Sequence, residues 1–180
     1  DETITEPTEL PLADGSSLTV EPLIRTKRRL GLKHFDPCTI LLNNDLSTVG
    51  LYDYDGTLQP GDALTAHPKV CPDTGQLVSC TQRWDSSNYW VQIFDARGKH
   101  LKTIPVEFAR KGIIHDLQIT ENYVIIFYAP AFHSLEKAMK GENPFMWEPE
   151  LGTKVIVIPR DGTGKQMVFE TDPFFSWHFC

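Results

Sequence analysis

The sequence predicts an all-β fold. Short β-type runs recur from about Thr19 onward, turn signals carrying Gly, Asn and Asp separate them, and one short stretch alone reads as helix. Residues 1–18 are acidic and polar, with Pro7 and Pro11 and no usable periodicity, so they are expected to be a poorly ordered lead-in to a domain spanning 19–180. Tyr89 to Phe94 reads as a strand, Asp95 to Gly98 as a turn, and His100 to Val106 as the returning strand. Ile113 to Thr120 and Tyr123 to Tyr128 form a second pair around Glu121 and Asn122. Lys154 to Ile158 and Met167 to Glu170 form a third around Asp161 to Gly164. Ser134 to Lys140 is the helical stretch, with Ser134 placed to cap it and Gly141 to end it. Local hairpins of this kind suit a sandwich, a barrel or propeller blades with a period of roughly 40 to 50 residues. No literal repeat chooses among them.

A chain of 180 residues with a net charge of −7 lacks the clustered cations that a nucleic-acid surface needs. Its one basic run, Arg25 to Arg29, reads as a solvated strand edge or loop. Cys38, Cys71, Cys80 and Cys180 are spaced neither as a zinc ribbon nor as a disulfide scaffold, which fits a reducing, cytoplasmic setting. No apolar run approaches the ~18 to 20 residues that span a bilayer. A start at Asp1 and a stop at Cys180, directly after Phe174-Phe-Ser-Trp-His-Phe, read as cut ends, so the domain is expected to belong to something larger.

Three of the six histidines stand apart. His67 lies in Leu64-Thr-Ala-His-Pro-Lys69, where Pro68 biases the preceding backbone toward an extended form. His115 lies in Ile113-Ile-His-Asp-Leu-Gln-Ile-Thr120, where period-two alternation puts it on one face with Ile113, Leu117 and Ile119. An imidazole on an apolar face needs a partner, and either a metal or a backbone carbonyl would serve. His67 and His115 are 48 positions apart, and His115 and His178 are 63 apart, with the helix in the longer gap. Residues repeated at about one blade length can converge on one axis. A facial triad of two histidines and a carboxylate would use Asp116, but neighbours on a strand point to opposite faces. An all-imidazole site is the simpler expectation. No nucleophile elbow and no phosphate-binding loop is present. His100, after a Gly98 turn, and His133, before the helix, read as surface residues.

From about Leu30 to Cys180 the chain resembles the carotenoid cleavage oxygenase family, which includes lignostilbene-cleaving enzymes and the retinal pigment epithelium isomerase. The resemblance rests on Thr65-Ala-His-Pro-Lys69, on Ile114-His-Asp-Leu-Gln-Ile-Thr-Glu-Asn-Tyr123 and on Phe175-Ser-Trp-His-Phe-Cys180. Tyr52-Asp-Tyr-Asp-Gly56, Pro68 to Gly75 and Trp147 to Gly152 add to it. It implies about three blades of a seven-bladed β-propeller with a short helical insertion. It also implies an Fe(II) ion held by four histidines, of which His67, His115 and His178 match three motifs and the fourth lies outside this chain. The implied reaction is cleavage of a conjugated carbon–carbon double bond by O₂ to two carbonyl products, on an apolar or phenolic substrate, with peripheral membrane contact a family trait.

By the same resemblance, Lys33 in Leu30-Gly-Leu-Lys-His34 matches a lysine that holds the phenolic oxygen in stilbene-cleaving members, where an ammonium would favour phenolate. The alternative for Lys33 is an exposed strand lysine. His34 stands where the family usually has a glutamate that orients a ligand histidine, a departure that bears on activity. The competing reading of the whole chain is a non-catalytic propeller segment that binds an apolar ligand or a protein partner.

Overall fold

A computed structural model of the chain describes residues 8–11, 17–20, 24–26, 39–42, 47–59, 62–83 and 86–179. Two compact units divide it, Asp1–Leu64 and Thr65–Cys180. Lys33, His34, Cys38 and Cys180 lie outside the described residues. In the first unit β1 (Thr8–Pro11) pairs antiparallel with β2 (Ser17–Val20), so a hairpin occurs within and just beyond the expected lead-in. Next, β3 (Ile24–Thr26), β4 (Thr39–Leu42) and β5 (Thr48–Leu51) form a three-stranded sheet, and β6 (Asp62–Leu64) ends the unit.

The second unit carries His67, His115 and His178. Its first sheet contains β7 (Lys69–Val70), β8 (Leu77–Arg83), β9 (Tyr89–Phe94) and β10 (His100–Val106), each hydrogen-bonded antiparallel to the next. Its second sheet has the order β11 (Gln118–Ile119), β12 (Tyr123–Tyr128), β15 (Thr153–Pro159), β16 (Met167–Thr171). Between β12 and β15 the chain makes an excursion through β13 (Ala131–His133), α1 (Leu135–Met139) and β14 (Phe145–Trp147). It then resumes with β15 (Thr153–Pro159) and β16 (Met167–Thr171). The three expected hairpins and the helix are present. Ser134 Oγ accepts from the Lys137 amide as the helix cap, and Gly141 takes the left-handed φ of 72° that ends it. Among the described residues no helix is long and apolar enough to cross a membrane, and Cys71 and Cys80 are free thiols.

The core lies between the two sheets. Val78, Cys80, Tyr89, Val91, Ile93, Ile104 and Val106 from the first pack with Val124, Ile126, Ile156 and Ile158 from the second. Each such aliphatic side chain contributes ~1.5–3 kcal/mol on leaving water. Alternation along β12 and β15 sends Val124, Ile126, Ile156 and Ile158 inward, as two half-buried strands require.

One expected strand is much shorter. Residues 113–117 do not pair as a strand, and only Gln118–Ile119 do. The segment that links β10 to β11 is instead fixed by hydrogen bonds to its backbone. Tyr89 Oη donates to the Gly112 carbonyl, Tyr128 Oη donates to that of Arg110 at 2.6 Å, and the Ile113 amide donates to Ala131 at 3.1 Å. Gly112 also bridges Phe132, while Arg110 lies 3.8 Å over the Phe132 ring and pairs with Glu148 at 2.8 Å. A Cβ on Gly112 would lie 2.5 Å from Cε2 of Tyr128, a rigid ring that cannot swing aside. Gly112→Ala is therefore expected to destabilise the fold by about 1–3 kcal/mol, as overpacking does, read as a lower thermal midpoint.

Candidate metal centre

Each histidine of interest lies outside a strand. His67 lies two residues before β7, His115 three before β11, and His178 in the segment that follows β16. His67 and His115 therefore occupy corresponding places in successive sheets. Their rings and that of His178 converge: one nitrogen from each lies within 4.8 Å of the others. Nε2 of His67 and Nε2 of His115 are 2.9 Å apart. Two nitrogens bound at right angles to one ion at ~2.0–2.1 Å would lie about 3 Å apart, so this spacing fits a shared ion. His67 and His115 are half-buried and His178 is exposed.

The backbone around the cluster is tied by side chains. Thr65 Oγ1 donates to the His115 carbonyl at 2.5 Å and accepts from the His67 amide at 3.3 Å, joining two histidine segments through one hydroxyl. Asp116 joins all three. Its carboxylate meets Lys69 Nζ at 3.0 Å and accepts from the Leu117 amide at 2.7 Å and the Phe179 amide at 2.9 Å. Lys69 Nζ also donates to the Phe179 carbonyl at 3.3 Å. Burial works against the charge on Asp116, but the Phe179 amide, the Lys69 ammonium and the Leu117 amide outweigh it and hold the carboxyl below the usual range. A depressed folded pKa means that this stabilisation is complete above the unfolded value of about 3.9 and disappears as pH falls through the folded one.

The segment that carries His178 is rich in aromatic contacts. Trp177 meets His115 edge-on at 4.9 Å and Phe175 at 4.8 Å, and Phe179 stacks on Phe127 at 4.1 Å. At the start of the segment, the Phe174 amide donates to Thr153 Oγ1 and that hydroxyl donates back to the Phe174 carbonyl, both at 2.9 Å.

The structure thus brings His67, His115 and His178 together and keeps Asp116 out of the group, because its oxygens are taken by Lys69 and two amides. His115 is half-buried in an irregular segment rather than on the apolar face of a strand, which corrects the expectation from alternation. His100 is half-buried and hydrogen-bonds Gln92 at 3.1 Å and Thr103 at 3.0 Å, and His133 is exposed beside Phe145. Lys33, the candidate substrate lysine, is outside the described residues. Sequence reasoning missed Lys69, Thr65 and Phe179 as participants. The signal was their place within two residues of a candidate ligand.

Residues 24–180 match the sequence family described as Retinal pigment epithelial membrane protein. An isoeugenol monooxygenase of Pseudomonas nitroreducens is 36% identical over 125 residues, which is 68% of this chain and 26% of that protein. Resveratrol cleavage oxygenase 1 of Chaetomium globosum is 31% identical over 141 residues, 74% of this chain and 24% of that protein. The crystal structure of Pseudomonas brassicacearum lignostilbene dioxygenase, at 24% identity, shares the fold with a TM-score of 0.69 over 93% of this chain and 33% of that one. The chain spans about a quarter of the length of these two curated relatives.

If the three imidazoles bind one ion, His115→Ala should lose most of the metal that the parent retains after gel filtration, whereas His100→Ala should match the parent. Elemental analysis of the three proteins decides it, and equal contents would refute the ligand assignment.

Proposed function

Because the chain belongs to the retinal pigment epithelial membrane protein family, we propose that it forms part of a non-haem Fe(II) dioxygenase that cleaves a conjugated carbon–carbon double bond to two carbonyl products. The observation that carries this reading is the convergence of His67, His115 and His178 from three separate segments. Imidazole donors suit iron as well as zinc, copper and nickel, so family membership supplies the choice of metal. His67, His115 and His178 would hold it, and iron(II) would supply the one-electron chemistry that dioxygen needs to react with an alkene.

The chain's own residues do the rest. Neutral imidazoles would add no negative charge to an ion that they hold. Trp177 limits how far the His115 ring can tilt, and the Phe175–Trp177 and Phe127–Phe179 contacts give the segment that carries His178 apolar neighbours. The two sheets of the second unit are read as successive blades of a seven-bladed propeller, and the chain as about three of those blades. Support comes from the matching places of His67 and His115 and from the four-stranded order of the second sheet.

For substrate we infer a phenolic stilbene or an apocarotenoid. Isoeugenol and resveratrol, named in two relatives, are both phenols with a conjugated alkene. Lys33 is the proposed contact to a phenolic oxygen, on the strength of its motif alone. A cytoplasmic location is part of this reading and can be checked by fractionation.

The test uses a protein that carries this chain together with the remaining blades and the fourth histidine: load it anaerobically with Fe(II), quantify bound iron, and admit air with resveratrol or an apocarotenal. Aldehydes that form only with both iron and O₂ are the expected result. Iron-loaded protein that yields none from either substrate would exclude the dioxygenase reading and favour a binding role.

A further inference from the structure

We propose that Lys69 and Asp116 form a clasp that positions His178 beside His67 and His115 by gripping both backbone groups of Phe179. The proposal rests on the metal-site reading above and adds positioning residues to it.

His67, His115 and His178 are distant in sequence, and the third is exposed, so its place must be set by its backbone rather than by packing around its ring. The residue after it is held twice. The Phe179 amide donates to Asp116 at 2.9 Å, and the Phe179 carbonyl accepts from Lys69 at 3.3 Å. Those two side chains are themselves paired, and they come from the other two ligand segments: Lys69 is two residues after His67, and Asp116 directly follows His115. One ion pair therefore measures the third ligand segment against the first two. At 2% side-chain exposure the Asp116 carboxylate is nearly dry, where charge-assisted hydrogen bonds are strong and an unpaired charge is costly.

Thr153 ties Phe174, upstream of His178, and so fixes where the segment leaves the sheet. Ser176 Oγ donates to the His178 carbonyl at 2.7 Å, but that bond lies within the segment and does not relate it to the other two histidines. The Phe179 ring stacked on Phe127 keeps residue 179 near the sheet without fixing its amide plane. The clasp does that, since one peptide donor and one peptide acceptor on either side of Phe179 define an orientation. A misplacement of about 1 Å at a positioned group is already damaging to a site of this kind.

The experiment uses Lys69→Met, which keeps the aliphatic stem, and Asp116→Asn, which keeps size and an acceptor, each made in a parent protein that carries this chain with the remaining blades, and in His178→Ala of that protein. Asp116 is buried, so the Lys69 variant guards against a fold defect. Two quantities are read: Co(II) affinity from its visible absorption, and hydrogen exchange at the Phe179 amide in metal-free protein. In the parent background both variants should bind Co(II) about 10–100-fold more weakly, as loss of groups that orient ligands does. In His178→Ala the same substitutions should cost little further, because the clasp acts through His178. Lys69→Arg should restore binding to within a few-fold. Parent-like affinity in both variants, or an equal loss with and without His178, overturns the proposal. Exchange at Phe179 should quicken in both variants, and unchanged exchange also overturns it. A parent protein that takes up no Co(II) would refute the metal reading instead, and the exchange result alone would then decide the clasp.

Discussion

A carboxylate removed from water has to find its full complement of donors, and Asp116 finds them in three different stretches of chain. Lys69, the Leu117 amide and the Phe179 amide all converge on it. A buried charge with partners so dispersed cannot be satisfied until the start of β7, the stretch before β11 and the stretch after β16 have reached their places together. The geometry of the imidazole cluster follows from that electrostatic requirement, since each histidine is within two residues of one of the groups involved. The ion pair need not add net stability to have this effect, because leaving either partner alone is the expensive state.

Beneath the cluster lies a dry platform. The face-to-face packing of Val91, Ile104 and Val106 against Val124, Ile126 and Ile156 fixes the relation between the two sheets, and through it the separation of His67 from His115. The irregular segment of residues 108–117, in which Phe108, Gly112, Asp116 and Leu117 are buried, then needs partners for the backbone groups it takes out of water. Tyr89 and Tyr128 reach out of the sheets to provide it at Gly112 and Arg110, and β13 provides it at Ile113.

The strands were legible because their alternation and turn residues are local. Tyr89–Phe94, His100–Val106 and Tyr123–Tyr128 begin and end where those signals begin and end. The helix was legible from Ser134 and Gly141 for the same reason. Residues 113–117 were misread because Ile113, His115 and Leu117 alternate in sequence as a strand would, while tertiary hydrogen bonds to the tyrosines and β13 override that tendency. The histidines could be singled out by motif and spacing. The role of Lys69 could not, for nothing near it in sequence announces a partner at Asp116 and another at Phe179.

The excursion between β12 and β15 shows how a site of this kind can accommodate change. β12 and β15 pair along their whole length, from Tyr123 opposite Pro159 to Tyr128 opposite Lys154, so the residues between them leave and rejoin an intact ladder. Its base is part of the architecture, for Ala131 and Phe132 hold the backbone just ahead of His115. Its tip, α1 and the turn at Gly141, makes no hydrogen bond among the described residues to Lys69, Thr65, Asp116 or Phe179. Lengthening the tip would add loop entropy only logarithmically, at roughly 0.6 kcal/mol per doubling. The hairpin tip is consequently the place where relatives could diverge in length, or where a foreign peptide could be grafted, while the histidines keep their register.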